Sequence, residues 1–209
     1  MTVLAPTLDA RLLNWQFVVP ADATEPLVLA DPANAPRNAI TVAVGGVADH
    51  LRSSGWHAIV APDLGRWHID GGGAGVAGLL TTLAGQVAPG GWLAFGISNA
   101  WYPGSLRSVD ALGLSRIHRI LAAAGLRMDD VYLALPDHRR PAVLAAAHPR
   151  TALELVLERL PTTYVPAGGR WPRLHRRVRR VLVAAVGIAP HWLRIRLVPG
   201  FVIVARRPT

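Results

Sequence analysis

Two acids stand just past short apolar runs, and that placement could do chemistry. Asp31 closes the apolar run P-L-V-L-A in the stretch P-L-V-L-A-D-P-A-N-A-P (26–36). An apolar strand ending in a small residue and an acid usually opens a nucleotide-type cofactor site. Here the glycines that should follow are replaced by Pro32, Ala33, Asn34, Ala35 and Pro36. Asp before Pro equally suits a turn cap. Asp63 lies one residue past the run H-A-I-V-A-P (57–62), where ligands collect outside the carboxyl ends of open α/β sheets. It could face a cofactor or orient a nucleophile, or simply start a loop. Asn99, Trp101 and Tyr102 follow another apolar run, and aromatics there line an acceptor pocket or close over the end of a core.

Several chemistries find no support. Cysteine is absent, which excludes disulfides, zinc-thiolate sites and thiol nucleophiles. His68 and Asp70 are two residues, too few for a metal site. Among the eight histidines none is singled out as a general base. There is no G-x-S-x-G elbow and no P-loop. The run G-G-G-A-G (71–75) precedes a helical pattern and could cradle a phosphate, but no Lys-Ser/Thr follows it. A hinge or helix lead-in is the simpler reading.

The elements that must position these residues follow from periodicity. Short strands are expected at 27–30, 40–44, 57–62, 92–97 and 131–135, and a hairpin-like pair at 193–198 and 201–205 around Pro199-Gly200. Helical spacing appears at 47–54, at 75–87 through Val76, Leu79, Leu80 and Leu83, and at 112–124 through Leu114, Ile117, Ile120 and Leu121. Gly125 sits where a C-terminal cap belongs. Two further helices are expected at 151–160 and 174–186. Strands alternating with helices argue for a mostly parallel sheet wrapped by helices, with an antiparallel last strand.

With 209 residues and 51% hydrophobic content, the chain suits one packed domain, 1–209. All 22 basic residues are arginine, which together with Ala, Gly and Pro enrichment points to a GC-rich bacterial genome. Residues 1–106 hold 4 arginines against 7 acids, a net −3, whereas residues 107–209 hold 18 against 6, a net +12. The positive field is therefore confined to the C-terminal half. Its densest part is R-W-P-R-L-H-R-R-V-R-R (170–180), an arginine face on an amphipathic pattern. Such a face could dock a protein partner, or lie on an anionic membrane surface through 170–192, or remain a solvated face. Nucleic acid is not favoured, because the aromatic interleaving of a single-strand binder is limited to Trp171. Residues 1–11 lack the character of a signal peptide, and no apolar stretch reaches the roughly 18 residues that span a bilayer. The expected location is the cytoplasm.

From His57 onward the order of segments resembles the C-terminal half of a class I S-adenosylmethionine-dependent methyltransferase. H-A-I-V-A-P-D-L (57–64) resembles the fourth strand and its acid-bearing exit. V-A-P-G-G-W-L-A-F-G-I-S-N (87–99) resembles the P-G-G turn and fifth strand. The segments 113–125 and 131–135, with A-L-P-D-H-R-R-P (134–141) after them, resemble the next helix and sixth strand. F-V-I-V-A-R-R (201–207) resembles the closing seventh strand. The resemblance implies a Rossmann-like fold with a helical, basic insertion at 137–192 that shapes an acceptor pocket or a protein interface. It also implies an S-adenosyl-L-methionine site across Asp31, Gly45, Gly46 and Asp63, and an acceptor near Trp67, Asn99, Trp101 and Tyr102.

The chain departs from the family upstream. The family's first strand runs into a G-x-G-x-G turn, whose glycines let backbone approach the cofactor, and 32–36 holds none. The interval also holds about one strand–helix unit fewer than the family places there. Two readings fit. Either 27–30 is the first strand with its turn eroded, or it is the ribose-binding strand, Asp31 its acid, and 16–19 the first strand. Function divides accordingly between a methyltransferase-like protein of specialised-metabolite biosynthesis with a degraded cofactor site and a non-catalytic pseudo-methyltransferase that binds another protein.

Overall fold

The computed structural model describes residues 26–29, 40–42, 55–67, 75–102, 110–135, 138, 143–147, 195–196 and 198–209. Eight strands form one sheet: β1 (Leu27–Leu29), β2 (Ile40–Val42), β3 (Trp56–Ala61), β4 (Val87–Asn99), β5 (Ala111–Leu112), β6 (Arg127–Leu135), β7 (Val143–Ala146) and β8 (Gly200–Arg206). Their order is β2-β1-β3-β4-β8-β6-β7, with β5 pairing β4 to the side. The run from β2 to β4 is parallel, and β8 enters antiparallel between β4 and β6. This is the Rossmann-like α/β fold with an antiparallel last strand that the alternating pattern implies.

Side chains alternate between two faces because successive Cβ atoms point to opposite sides of a strand. Leu27, Ile59, Leu93, Phe95, Leu133, Phe201 and Ile203 share one face and its larger core. Val28, Val60, Trp92, Ala94, Val202 and Val204 share the other. Strands buried on both faces read as continuous apolar runs, as W-L-A-F-G-I (92–97) and F-V-I-V-A (201–205) do.

The larger core is covered by α1 (Gly75–Gln86), which buries Val76, Leu79, Leu80, Leu83 and Ala84, and by α2 (Leu114–Ala123), which buries Ile117 and Leu121. Gly125 ends α2 at φ +76°, and the Gly125 and Leu126 amides bond to the Ala122 and Leu121 carbonyls. That is a Schellman closure, and it needs a residue free to be left-handed. Arg207 then ties the two helix ends together, its guanidinium donating to the carbonyls of Ala84 at 3.0 Å and Ala124 at 2.9 Å.

Two expectations are corrected. The described residues of 193–198 do not pair with 201–205 as a hairpin. Ile195 and Arg196 are helical, and both edges of β8 are already taken by β4 and β6, so no free edge remains for such a partner. The strand read at 92–97 begins earlier, at Val87. Gly90 takes φ +74°, its amide donates to the Arg207 carbonyl and the Gly91 carbonyl accepts from the Arg207 amide, which carries the chain through the P-G-G turn without leaving the sheet. Within 137–192, β7 extends the sheet beyond β6. The rest of that segment, including the arginine-rich 170–180 and the helical patterns at 151–160 and 174–186, lies outside the described residues apart from His138 and Ala147.

Candidate functional site

The strand order itself locates a crevice. The chain leaves β1, pairs β2 on one side, then returns to place β3 on the other side of β1. That reversal is a topological switch point, and open α/β sheets bind ligands outside the carboxyl ends of the two strands that flank it. β1 occupies the place of the first strand in a doubly wound order, with β2 outside it. Asp31 follows β1 by two residues, and Asp63 follows β3 by two. Asp31, Gly45 and Gly46 lie outside the described residues, as do 16–19, His68, Asp70 and 71–74.

Asp63 is 4% exposed and engaged. Its Oδ1 lies 3.1 Å from Nε2 of His138, itself 2% exposed. A carboxylate only accepts, so Nε2–H donates. The partner comes from the segment beyond β6, and two glycines let it in. A Cβ at Gly96, in β4, would sit 3.1 Å from the imidazole Cδ2, and one at Gly200, opening β8, would sit 2.9 Å from Nδ1. His138 therefore sits against Gly96 near the carboxyl end of β4 and Gly200 at the start of β8, with Nε2 reaching the exit of β3. Nδ1 is buried and has no hydrogen-bond partner.

Asn99, at the end of β4, is 1% exposed. Its Nδ2 donates to the carbonyls of Val198 (2.8 Å), Ile195 (2.9 Å) and Arg196 (3.3 Å), and its Oδ1 accepts from the Trp101 amide at 3.1 Å. These bonds seat the lead-in to β8 on the end of β4, aided by the Asn99 amide bonding the Pro199 carbonyl at 2.9 Å. Trp67 does not face a pocket. It closes a single 3-10 turn (Leu64–Trp67) and packs in the larger core at 5% exposure. Trp101 is 57% exposed, with the Arg196 guanidinium 4.9 Å above its ring and its indole edge against Gly113. Tyr102 is half-buried beside it.

The structure thus brings Asp63 and Asn99 to the same carboxyl edge but engages both internally, sends Trp67 into the core, and leaves Trp101 and Tyr102 at the rim. Sequence reading passed over His138. Gly96 inside an otherwise apolar strand was the available signal, since a strand glycine marks close approach of another group. Among the described residues no cluster could hold a metal ion, and no helix is long and apolar enough to cross a membrane. Asp63 is turned to His138 and the Asn99 amide to backbone carbonyls, while Asp31, Gly45 and Gly46, to which the resemblance assigns the cofactor, lie outside the described residues.

No family model matches the chain, and no curated protein matches it. Among solved structures, the [4+2]-cyclase SpnF is similar at 13% identity and TM-score 0.37, over 82% of this chain and 58% of that one. A putative sarcosine dimethylglycine methyltransferase from Galdieria sulphuraria is similar at 10% identity and TM-score 0.36, over 82% and 60%. An S-adenosylmethionine-dependent methyltransferase from Mesorhizobium loti is similar at 10% identity and TM-score 0.39, over 88% and 81%. The aligned region spans about three-fifths of the length of the first two. Likeness at this identity does not extend to chemistry.

Proposed function

We propose that this chain is a methyltransferase-like protein of a GC-rich bacterium that has kept the sheet, lost the S-adenosylmethionine site, and serves specialised-metabolite biosynthesis as a non-catalytic partner of another protein. One observation carries the reading. At the switch-point edge the polar side chains within the described residues are committed to each other and to backbone, through Asp63–His138 and Asn99. The sequence agrees, because the turn after β1 is flanked by Pro32 and Pro36 and contains no glycine. Backbone carrying side chains cannot approach a cofactor as glycine backbone does, and proline at the turn removes amide donors.

A second reading, that methyl transfer persists, draws on the bare Nδ1 of His138 beside the same edge. Calorimetric titration separates the two. Absence of binding heat up to millimolar S-adenosylmethionine, with the melting temperature unmoved by the cofactor, is the outcome expected here. Saturable micromolar binding would overturn the non-catalytic reading.

A further inference from the structure

The face of the molecule opposite the second core carries a feature the cofactor question does not touch. Helices α1 and α2 run beside one another over the larger core, and their outward surfaces leave a groove of about 480 Å³. One wall is Thr81 and Gly85 of α1, the floor is Ile120, Ala123 and Ala124, and the other wall is Arg116 and Arg119 of α2.

The α1 wall is small and uncharged. The helix contains no ionisable residue, and Thr81 and Thr82 turn their hydroxyls back to the carbonyls of Ala77 (2.9 Å) and Gly78 (3.0 Å). Small residues permit close approach of another helix, at the short end of the usual 8–10 Å interaxial spacing. The α2 wall is cationic. Arg116 and Arg119 stand three residues apart, hence one above the other on a helix, and among the described residues neither guanidinium has a hydrogen bond or ion pair. Neither helix carries an acid that could neutralise them.

We propose that this groove seats an acidic amphipathic helix of a partner protein. The helix would lay its apolar edge on Ile120, Ala123 and the Thr81–Gly85 wall, and its flanking carboxylates, spaced three or four residues apart, would meet Arg116 and Arg119. Helix-in-groove recognition reads anchors at that spacing, and the unneutralised arginines set the sign of the partner. A second copy of the chain is the poorer occupant, because α1 and α2 of that copy bring no acids of their own.

The test uses the full chain and a labelled synthetic peptide of about five helical turns, with Leu and Ala on one edge and Glu on the flanks. A second peptide carries Lys in place of Glu. The Glu peptide should bind and the Lys peptide should not. Exchanging both attractions for repulsions in R116E/R119E should weaken the Glu peptide about 30-fold and let the Lys peptide bind. Gly85→Leu should abolish binding of the Glu peptide without lowering the melting temperature. A Cβ at Gly85 meets nothing within 4 Å, and leucine favours the helix over glycine. Equal affinity for wild type and Gly85→Leu would overturn the proposal, as would binding that survives R116E/R119E, which would assign the peptide to the arginine-rich 170–180. Loss of self-association or of anionic-vesicle binding in the same variants, without peptide binding, would overturn it too. Cofactor binding by the chain would leave this proposal standing.

Discussion

Replacing Asn99 decides whether the carboxyl end of β4 is a ligand surface or a structural joint. Its Nδ2 lies 2.8 Å from the Val198 carbonyl, 2.9 Å from Ile195 and 3.3 Å from Arg196, while its Oδ1 holds the Trp101 amide at 3.1 Å. An amide has two N–H donors, so the third carbonyl receives only a shared bond. Two donated bonds and one accepted, at about 1 kcal/mol each, give a loss of roughly 3 kcal/mol for Asn99→Ala. The site is 1% exposed, so the abandoned carbonyls lack ready water and add on the order of 1 kcal/mol more. Asn99→Asp keeps the shape but points a carboxylate oxygen at carbonyl oxygens, and should cost at least as much at neutral pH. Burial and acceptor neighbours raise such a carboxyl above its unfolded value of about 3.9. The folded variant then binds more protons than the unfolded chain between the two values. Its penalty relative to wild type is therefore smallest below the unfolded value, where the neutral acid still donates one of the two bonds, and grows as pH rises through the folded one. Urea titrations followed by tryptophan fluorescence at about pH 7 and about pH 4.5 read both effects as shifts in midpoint at constant slope. An Asn99→Ala variant within about 0.5 kcal/mol of wild type would refute the joint and return Asn99 to the surface.

Three further outcomes follow from the same structure. Removing His138 alone, as His138→Leu, takes one hydrogen-bond donor from the buried Asp63 carboxylate and should cost about 2 kcal/mol. The double variant with Asp63→Asn should be less unstable than His138→Leu, and a double-mutant cycle that is additive would show the 3.1 Å contact to be incidental. Arg207→Ala removes the guanidinium that joins the ends of α1 and α2 at Ala84 and Ala124. It should lower stability by roughly 1–2 kcal/mol, with Arg207→Lys recovering only part, and an unchanged melting temperature would sink the idea. Burial, and then the Asp130 charge, push the Tyr132 phenol above 10.0. The unfolded chain therefore loses this proton first, and the stability Tyr132 contributes is complete below about pH 10 and lost as pH rises through the folded value. Absorbance titration of wild type against Tyr132→Phe should show a phenol titrating above 10.0 in wild type and missing from the variant.

The elements that write themselves into local sequence were legible. Val76, Leu79, Leu80 and Leu83 repeat at helical spacing, and they are the residues α1 buries. Leu114, Ile117, Ile120 and Leu121 likewise form the inner side of α2, and Gly125 caps it because only a left-handed residue closes that turn. Apolar runs such as F-V-I-V-A announced strands buried on both faces. The placement of Asp63 and Asn99 past strand ends could also be read from the sequence, since a strand's end is local.

Partner choice could not be read that way. β8 abandons the preceding segment for β4 and β6 because strand pairing is decided by which edges are free once the sheet is assembled. Asp63 meets His138 across 75 positions of chain, and Asn99 meets Val198 across 99, distances over which no spacing rule operates. Trp67, placed near an acceptor by the resemblance, closes a single 3-10 turn and packs in the larger core, a direction no local spacing announces. Residue type and period determine what each segment can become, because they act within a few residues of backbone. Only the closed sheet decides which polar groups face one another, because that depends on which strand ends come to lie side by side.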